Sequence, residues 1–294
     1  MKTEQFKAGY LSLIGPPNVG KSTLLNSLLN HKLSITSPRP QTTRRRIIGI
    51  MSEPKYQVVV CDTPGFLKPK YKLQETFVQQ INLALTDSDV VCLIMEIQKP
   101  DIDPQLLNAI KGISKPVILA LNKIDQVDKP DLLPVIDDMQ NQFSFTAIIP
   151  ISAIKKDGII ELKKEIINWI PEHPAYYDTE FITEQPERFF VAELIREQIF
   201  LYFKHEIPYT TEVQIEEFKQ RENKKDYIGA TIYTEKQSQK GILIGQHGNA
   251  LKEIGVRARK KIEQLLDRQV YLELRVKIKK DWRQDEQQLK RFGY

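Results

Sequence analysis

Gly15-Pro16-Pro17-Asn18-Val19-Gly20-Lys21-Ser22 follows the apolar run Tyr10–Ile14 and precedes the helix-forming run Thr23–Leu29. A glycine-bearing loop between a strand and a helix, closed by Lys-Ser, has the pattern of a phosphate-binding P-loop. Its glycines let backbone N–H groups converge on phosphate oxygens without a Cβ in the way. The helix N-terminus adds partial positive charge. Lys21 can reach terminal phosphates, and the Ser22 hydroxyl can ligate Mg²⁺. The loop commits the first part of the chain to an α/β fold with a strand directly before residue 15.

Asn122-Lys123-Ile124-Asp125 bears on which nucleotide such a loop would serve. It closes the apolar run Pro116–Leu121, so it falls at the carboxyl end of a strand, where doubly wound sheets bind ligands. The Asp125 carboxylate can accept from both N1–H and the exocyclic amine of guanine. Adenine lacks that pair of donors and would leave a buried carboxylate unpaired. Asn122 can tie this loop to the P-loop, and the Lys123 stem can cover the flat face of a base. Ser152-Ala153, after Ala147–Ile151, can back the guanine with backbone N–H groups. A P-loop kinase or ATPase is disfavoured by this set.

Asp62-Thr63-Pro64-Gly65 follows the strand-like Tyr56–Cys61. Asp62 can hold Mg²⁺ through water, and Gly65 can offer its N–H to a γ-phosphate. Between P-loop and Asp62, the polar, proline-broken stretch Ser37–Arg46 reads as a loop. A threonine there can close on Mg²⁺ when a γ-phosphate is present and release after hydrolysis. Thr42 and Thr43 are both candidates, with Thr43 favoured. Arg44, Arg45 and Arg46 face phosphate, a partner or only water.

Strand-like and helix-like segments alternate through the first 170 residues: strands near 8–14, 47–52, 56–61, 90–96, 116–121 and 147–151, helices near 21–30, 72–86, 103–111, 131–142 and 158–170. The order predicts a doubly wound, mostly parallel sheet with helices on both faces. Every nucleotide motif then lands on one edge, at strand ends. Hydrophobic content of 41% supports buried cores in a chain of 294 residues, enough for two domains. No run of about 18 apolar residues occurs, and Met1–Lys7 lacks the apolar core of a signal peptide, so neither a membrane span nor a leader is expected. Cys61 and Cys92, both in apolar strands, read as reduced core residues, and the four scattered histidines suggest no metal site.

The prolines of 171–180 break the alternation and read as the start of a linker. Beyond it, Arg188–Lys204 is amphipathic, with Phe189, Phe190, Leu194, Ile195 and Ile199 on its apolar side. Strands are expected over 210–219 and 227–233, then Ile244-Gly245-Gln246-His247-Gly248, a long helix to about Leu266, and a strand with Val270, Leu272, Leu274 and Val276 inward. This order resembles a KH domain of the type that begins with a helix (type II, α+β), whose Gly-x-x-Gly loop clamps single-stranded nucleotides. Lys236–Arg283 carries 13 Lys and Arg against 5 Asp and Glu, a surplus of eight where the whole chain has +5. Lys252, Arg257, Arg259, Lys260 and Lys261 make a face suited to phosphate. His247 either touches a base or fills the loop, and Trp282 either packs or stacks on a base.

Pro17–Ser22, Gln41-Thr42-Thr43-Arg44, Asp62–Phe66 and the tail Lys277–Tyr294 together resemble the Era family of bacterial GTPases, over essentially the whole chain. The resemblance implies a GTPase domain over 1–175, a linker over 176–186 and a KH domain with its tail over 187–294. It implies GTP and Mg²⁺ as ligands and GTP hydrolysis, with Lys21, Thr43 and Gly65 at the reacting phosphate. It further implies binding of the 3′ end of 16S ribosomal RNA during small-subunit assembly, with RNA rather than DNA as partner and a monomeric chain. The location implied is cytoplasmic, and peripheral contact with the inner membrane face is a family property that nothing in the residues requires. Phe66 stands where Ras-like enzymes carry the glutamine that orients water, so slow intrinsic hydrolysis is expected. In related GTPases an asparagine at the position of Asn18 helps bind K⁺, whose charge can substitute. A factor that binds RNA through a nearly inert nucleotide pocket is the alternative.

Overall fold

The computed structural model describes residues 5–222 and 224–294. Met1–Glu4, part of the stretch read as lacking a leader, lie outside the described residues. The chain divides into two compact units. One comprises residues through Pro69 with Gln74–Glu184, and the other Lys70–Leu73 with Gln185–Tyr294.

The first unit follows the alternating order: β1 (Lys7–Ile14), α1 (Lys21–Leu29), β2 (Ile47–Glu53), β3 (Tyr56–Asp62), α2 (Lys72–Asp87), β4 (Val90–Glu96), α3 (Pro104–Lys111), β5 (Val117–Asn122), α4 (Leu132–Gln142), β6 (Ala147–Ile151) and α5 (Ile159–Trp169). The six strands lie in the order β2-β3-β1-β4-β5-β6. Only the β2–β3 pair is antiparallel. The apolar runs of β1, β3, β4 and β5 are buried on both faces, as strands covered by helices must be. Val91, Leu93, Leu119 and Leu121 pack with Ile81, Leu106 and Ile110 of the helices. Cys61 and Cys92 are buried free thiols. Burial pushes them up to about 11 and about 12, so neither ionises near neutral pH.

The segment read as the start of a linker is instead fastened to this unit. The buried Gln57 amide accepts from Tyr176 N and Tyr177 N and donates to Tyr177 O. Ile50 N donates to Ile182 O at 2.7 Å, and Thr183 Oγ1 to Ile48 O at 2.6 Å, so the outer edge of β2 is covered. The division between units falls at Glu184 and Gln185, later than the prolines suggest.

The second unit runs α6 (Glu187–Tyr202), α7 (Ile207–Thr210), β7 (Glu212–Lys219), β8 (Asp226–Thr234), α8 (Gln237–Ile244), α9 (Asn249–Leu266), β9 (Val270–Ile278) and α10 (Glu286–Phe292). Its sheet has the order β7-β8-β9, antiparallel then parallel. Ile195 and Ile199 of α6, Ile254, Ala258 and Ile262 of α9, and Ile228, Ala230 and Ile232 of β8 form its core. Two short helices depart from the expected pattern. α7 occupies 207–210, shortening the strand expected from 210, and has a proline in its first turn, where a missing N–H is harmless. α10 is started by the Asp285 carboxylate, which accepts from Gln287 N and Gln288 N. Trp282 is fully buried and donates Nε1–H to Thr210 O at 3.0 Å, which decides for packing over stacking.

Candidate functional site

The carboxyl ends of β1, β3, β5 and β6 meet at one open cleft. Two glycines shape the loop after β1. A Cβ on Gly15 would collide with the Ile94 carbonyl, and one on Gly20 (φ +102°) with the Asn122 side-chain amide. Gly65 has the same constraint from the other side, since its Cβ would lie 2.7 Å from Pro17 Cα. The chain after Asp62 therefore lies directly against the P-loop, and Phe66 N donates to Gly15 O at 2.9 Å. The Phe66 ring turns into the core with Ile14, Ile81 and Leu85.

Lys21, the first residue of α1, donates to Gly15 O at 3.1 Å and Pro16 O at 2.7 Å. Burial lowers its pKa to about 8, against the pull of Asp62. One residue on, Ser22 Oγ donates to Asp62 Oδ2 at 2.6 Å and lies 2.7 Å from Thr43 Oγ1. Thr43 is thus the threonine at this cluster. Thr42 Oγ1 is turned to Arg39 O at 2.8 Å and Ser37 Oγ at 3.1 Å. Burial also pushes the Asp62 carboxyl up, against the donors Ser22, Ser34 and Thr43 and the charge of Lys21. Asp62 Oδ1 is buried with no hydrogen-bond partner among the described residues. Two hydroxyls and a carboxylate with one unsatisfied oxygen make a hard, oxygen-only donor set that fits Mg²⁺.

At the other end, the Asn122 amide joins three segments: Nδ2 donates to Val19 O at 2.7 Å, and Oδ1 accepts from Ala153 N at 2.9 Å. Ser152 Oγ donates to Asp125 Oδ1 at 2.5 Å. The backbone N–H groups expected to back the base are engaged elsewhere, Ser152 N on Asp157 O and Ala153 N on Asn122. Ser152 thus meets this loop through its hydroxyl, which orients the Asp125 carboxylate. Lys123 Nζ pairs with Glu96 at 2.8 Å. Asn18, in the left-handed region at φ +66°, donates from Nδ2 to Pro38 O at 3.1 Å, linking the P-loop to the Ser37–Arg46 loop.

Of the residues singled out in the sequence, Pro17, Asn18, Gly20, Lys21, Ser22, Thr23, Thr42, Thr43, Gly65, Asn122, Lys123, Asp125 and Ala153 line the cleft. Gly15, Pro16, Val19, Asp62, Thr63, Pro64 and Ser152 stand behind that lining. Thr63 is fully buried, its hydroxyl spent on Leu13 O at 2.7 Å. Ile35, Thr36, Ser37, Pro38, Arg39 and Gln41 line it as well, with Gln126 and Ile154. Ser37, Pro38, Arg39 and Gln41 belong to the loop read from the sequence, whereas Ile35, Thr36, Gln126 and Ile154 have no signal beyond adjacency to that loop, Asp125 and Ala153.

The second unit carries its own site. Gly245 (φ +73°) turns the chain out of α8, and a Cβ there would lie 2.7 Å from Ala250 Cβ. Gly248 (φ +78°) caps the 18-residue α9 and faces open space. Gln246 and the left-handed His247 (φ +52°) between them are exposed. Beside this loop runs a groove lined by Gly248, Leu251, Lys252, Gly255, Val256, Arg259, Leu272 and Leu274. Leu272 and Leu274, expected inward, are half-buried because they form its floor. Arg257 is outside the groove, paired with Glu253 at 2.8 Å and lying over the Tyr202 ring. Lys260 is exposed and also off the lining, while Arg259 takes the place beside Lys252. An apolar floor with cations at its rim and an open helix N-terminus suits unpaired bases and their phosphates.

Comparison with known proteins agrees with both sites. A family model described as a 50S ribosome-binding GTPase matches residues 10–123, and a KH domain model matches residues 206–283. GTPase Era of Ruminiclostridium cellulolyticum is 44% identical over 98% of both chains. GTPase Era of Halothermothrix orenii is 45% identical over 98% of this chain and 99% of its own. Among solved structures, an Aquifex aeolicus Era variant bound to GDP·AlF4⁻ superposes with TM-score 0.94 at 36% identity. An Era complex with MgGDPNP and nucleotides 1506–1542 of 16S ribosomal RNA gives 0.95 at 38% identity. Each covers 98% of this chain and 99% of its own. With relatives this similar spanning both the phosphate loop and the Gly-x-x-Gly loop, the chain belongs to the Era family of GTPases.

Proposed function

We propose that this chain binds GTP with Mg²⁺ in the first unit, hydrolyses it to GDP and phosphate, and grips the 3′ end of 16S ribosomal RNA with the second. Its task is assembly of the small ribosomal subunit. The observation that carries the nucleotide reading is the Asn122 amide, which locks the loop bearing Asp125 to the P-loop. A guanine reader is thereby held at a fixed distance from a phosphate cradle. The description of the amino-terminal family model names the 50S particle. The relative solved with 16S RNA covers both halves of the chain, so the small subunit is the partner proposed.

Asp125 accepts from guanine, oriented by Ser152, and the Lys123 stem lies along the base. The amides of Gly15–Thr23 cradle the phosphates, and Lys21 exchanges its two carbonyl contacts for phosphate oxygens. Ser22 and Thr43 would hold Mg²⁺, with Asp62 holding it through water, and the ion would neutralise charge on the phosphates. Water attacks the γ-phosphorus in line, the bond to the β–γ bridging oxygen breaks, and GDP leaves. Lys21, the loop amides and Gly65 N–H stabilise the charge that develops. Phe66 is committed to the core and orients no water, so turnover is slow. Asn18 contributes to a K⁺ site between P-loop and switch loop that makes up part of the deficit.

In the second unit, the Ile244–Gly248 loop holds the RNA backbone, Lys252 and Arg259 meet phosphates, and bases lie on the Leu272–Leu274 floor. Arg257 and Lys260 act at longer range. The chain works in the cytoplasm as a monomer, with membrane contact of the peripheral kind only. No helix among the described residues is long and apolar enough to cross a membrane.

The core-bound Phe66 also favours a second reading, an RNA-binding assembly factor with an almost inert pocket. A GTP turnover assay in K⁺ and in Na⁺, with and without the 16S 3′ oligonucleotide, separates them. Slow turnover, faster in K⁺ than in Na⁺, is expected. Equal rates in the two salts remove the K⁺ site, and no turnover under any condition establishes the inert reading.

A further inference from the structure

Asp62 collects its hydroxyl donors on one oxygen. Oδ2 takes Ser22 at 2.6 Å, Ser34 at 3.0 Å and Thr43 at 3.5 Å, while Oδ1 is buried without a partner among the described residues. Ser22 and Thr43 are themselves assigned to the cation, so their hydroxyls reorganise when it binds. Ser34 is different. It is fully buried and does not line the cleft, so its hydroxyl reaches the cation site only through Asp62.

Ser34 is in turn fixed by α1. Asn26 Nδ2 donates to Ser34 O at 2.9 Å, and Asn26 Oδ1 accepts from Leu33 N at 2.9 Å and Ser34 N at 2.8 Å. Asn26 lies four residues after Ser22, on the same face of the helix. One helix face thus presents a cation ligand and, a turn later, the amide that clamps the segment behind the carboxylate. A backbone held at both N–H and C=O by one side chain cannot slide, so the Ser34 hydroxyl has a set position.

We infer that Ser34, braced by Asn26, is a positioning residue for the Mg²⁺ site: its hydroxyl pins Asp62 Oδ2, fixing the carboxylate's rotation so that Oδ1 is the oxygen left to face the cation and its water. The inference rests on the assignment of Ser22, Thr43 and Asp62 made above. Groups that orient a ligand from behind typically change metal affinity by about 10–100-fold when removed.

The test is release of a fluorescent GDP analogue from the full chain, across a Mg²⁺ titration and in EDTA. For Ser34→Ala, the Mg²⁺ concentration that half-maximally slows release rises about 10-fold or more, while the rate in EDTA equals wild type. Asn26→Ala, which keeps the hydroxyl on a loosened segment, shifts the midpoint the same way by a smaller factor. A Ser34→Ala midpoint within about two-fold of wild type overturns the inference. So does faster release by one common factor in Mg²⁺ and in EDTA, which is what a merely structural residue gives. Ser22→Ala, expected to abolish the Mg²⁺ response, is the control. If wild type ignores Mg²⁺, the cation assignment falls and the brace with it; if wild type and Ser22→Ala behave as expected and Ser34→Ala does not, the brace alone falls.

Discussion

Single atoms decide the chemistry at both ends of the cleft. Ser152 holds Asp125 Oδ1 at 2.5 Å, so the carboxylate is presented in one orientation. Asp125→Asn turns an acceptor into a donor opposite two guanine donors, and GTP affinity falls about 100-fold or more. Xanthine carries a carbonyl where guanine carries its amine, so XTP regains binding to the variant; competition among GTP, XTP and ATP measures both effects. At the phosphate end, burial lowers Lys21 to about 8 from an ordinary 10.5. A cation with a depressed folded pKa costs stability below that value, and the cost fades as pH rises from about 8 to 10.5, because the unfolded chain then holds the extra proton. Lys21→Met removes that cost at pH 7 without nucleotide, set against the loss of its two carbonyl contacts and of the charge facing Asp62. It also lacks the rise in stability from pH 8 upward and binds GTP at least about 100-fold more weakly. Denaturant melts across pH and nucleotide titration check the last two statements.

At the level of elements, what could be read from the sequence is what local chemistry dictates. The strand, glycine loop and helix around residue 15 are legible because backbone approach there excludes side chains, as the Ile94 and Asn122 contacts bear out. The strand ends bearing Asp62 and Asn122 are legible because both-face burial demands continuous apolar runs. Contacts made by ordinary polar residues far apart in the chain are not legible. Gln57 clamping Tyr176 and Tyr177, Asn26 clamping Ser34, and Leu272 serving as a groove floor carry no local signature. The second glycine loop illustrates both cases. Gly248 faces open space while Gly245 abuts Ala250, and the pattern Gly-x-x-Gly does not tell them apart. Gly248→Asp is expected to fold, because Asp tolerates left-handed φ better than most residues. It sets a carboxylate where phosphate would sit, lowering RNA affinity about 10-fold or more with GTP binding unchanged. Gly245→Ala must displace Ala250 and lowers stability by about 1–3 kcal/mol. Filter binding and thermal melts of the two variants read out the contrast.

Over the whole molecule, two units with separate cores each hold one open loop at a helix N-terminus, one after β1 and one before α9. Placing a nucleotide cleft and an RNA groove in one chain makes sense if the state of the first sets the grip of the second. That coupling is a difference in free energy, and it is reciprocal. The Thr43 hydroxyl, 2.7 Å from Ser22, is the part of the switch loop that a γ-phosphate and Mg²⁺ would hold. The most direct measurement is the affinity of the full chain for the 16S 3′ oligonucleotide, taken with GDP and with a non-hydrolysable GTP analogue at one salt concentration. The account predicts tighter binding with the analogue, by about 5-fold or more, and loss of the difference in Thr43→Ala. Equal affinities in the two nucleotide states would contradict it, leaving two modules that share a chain and nothing else.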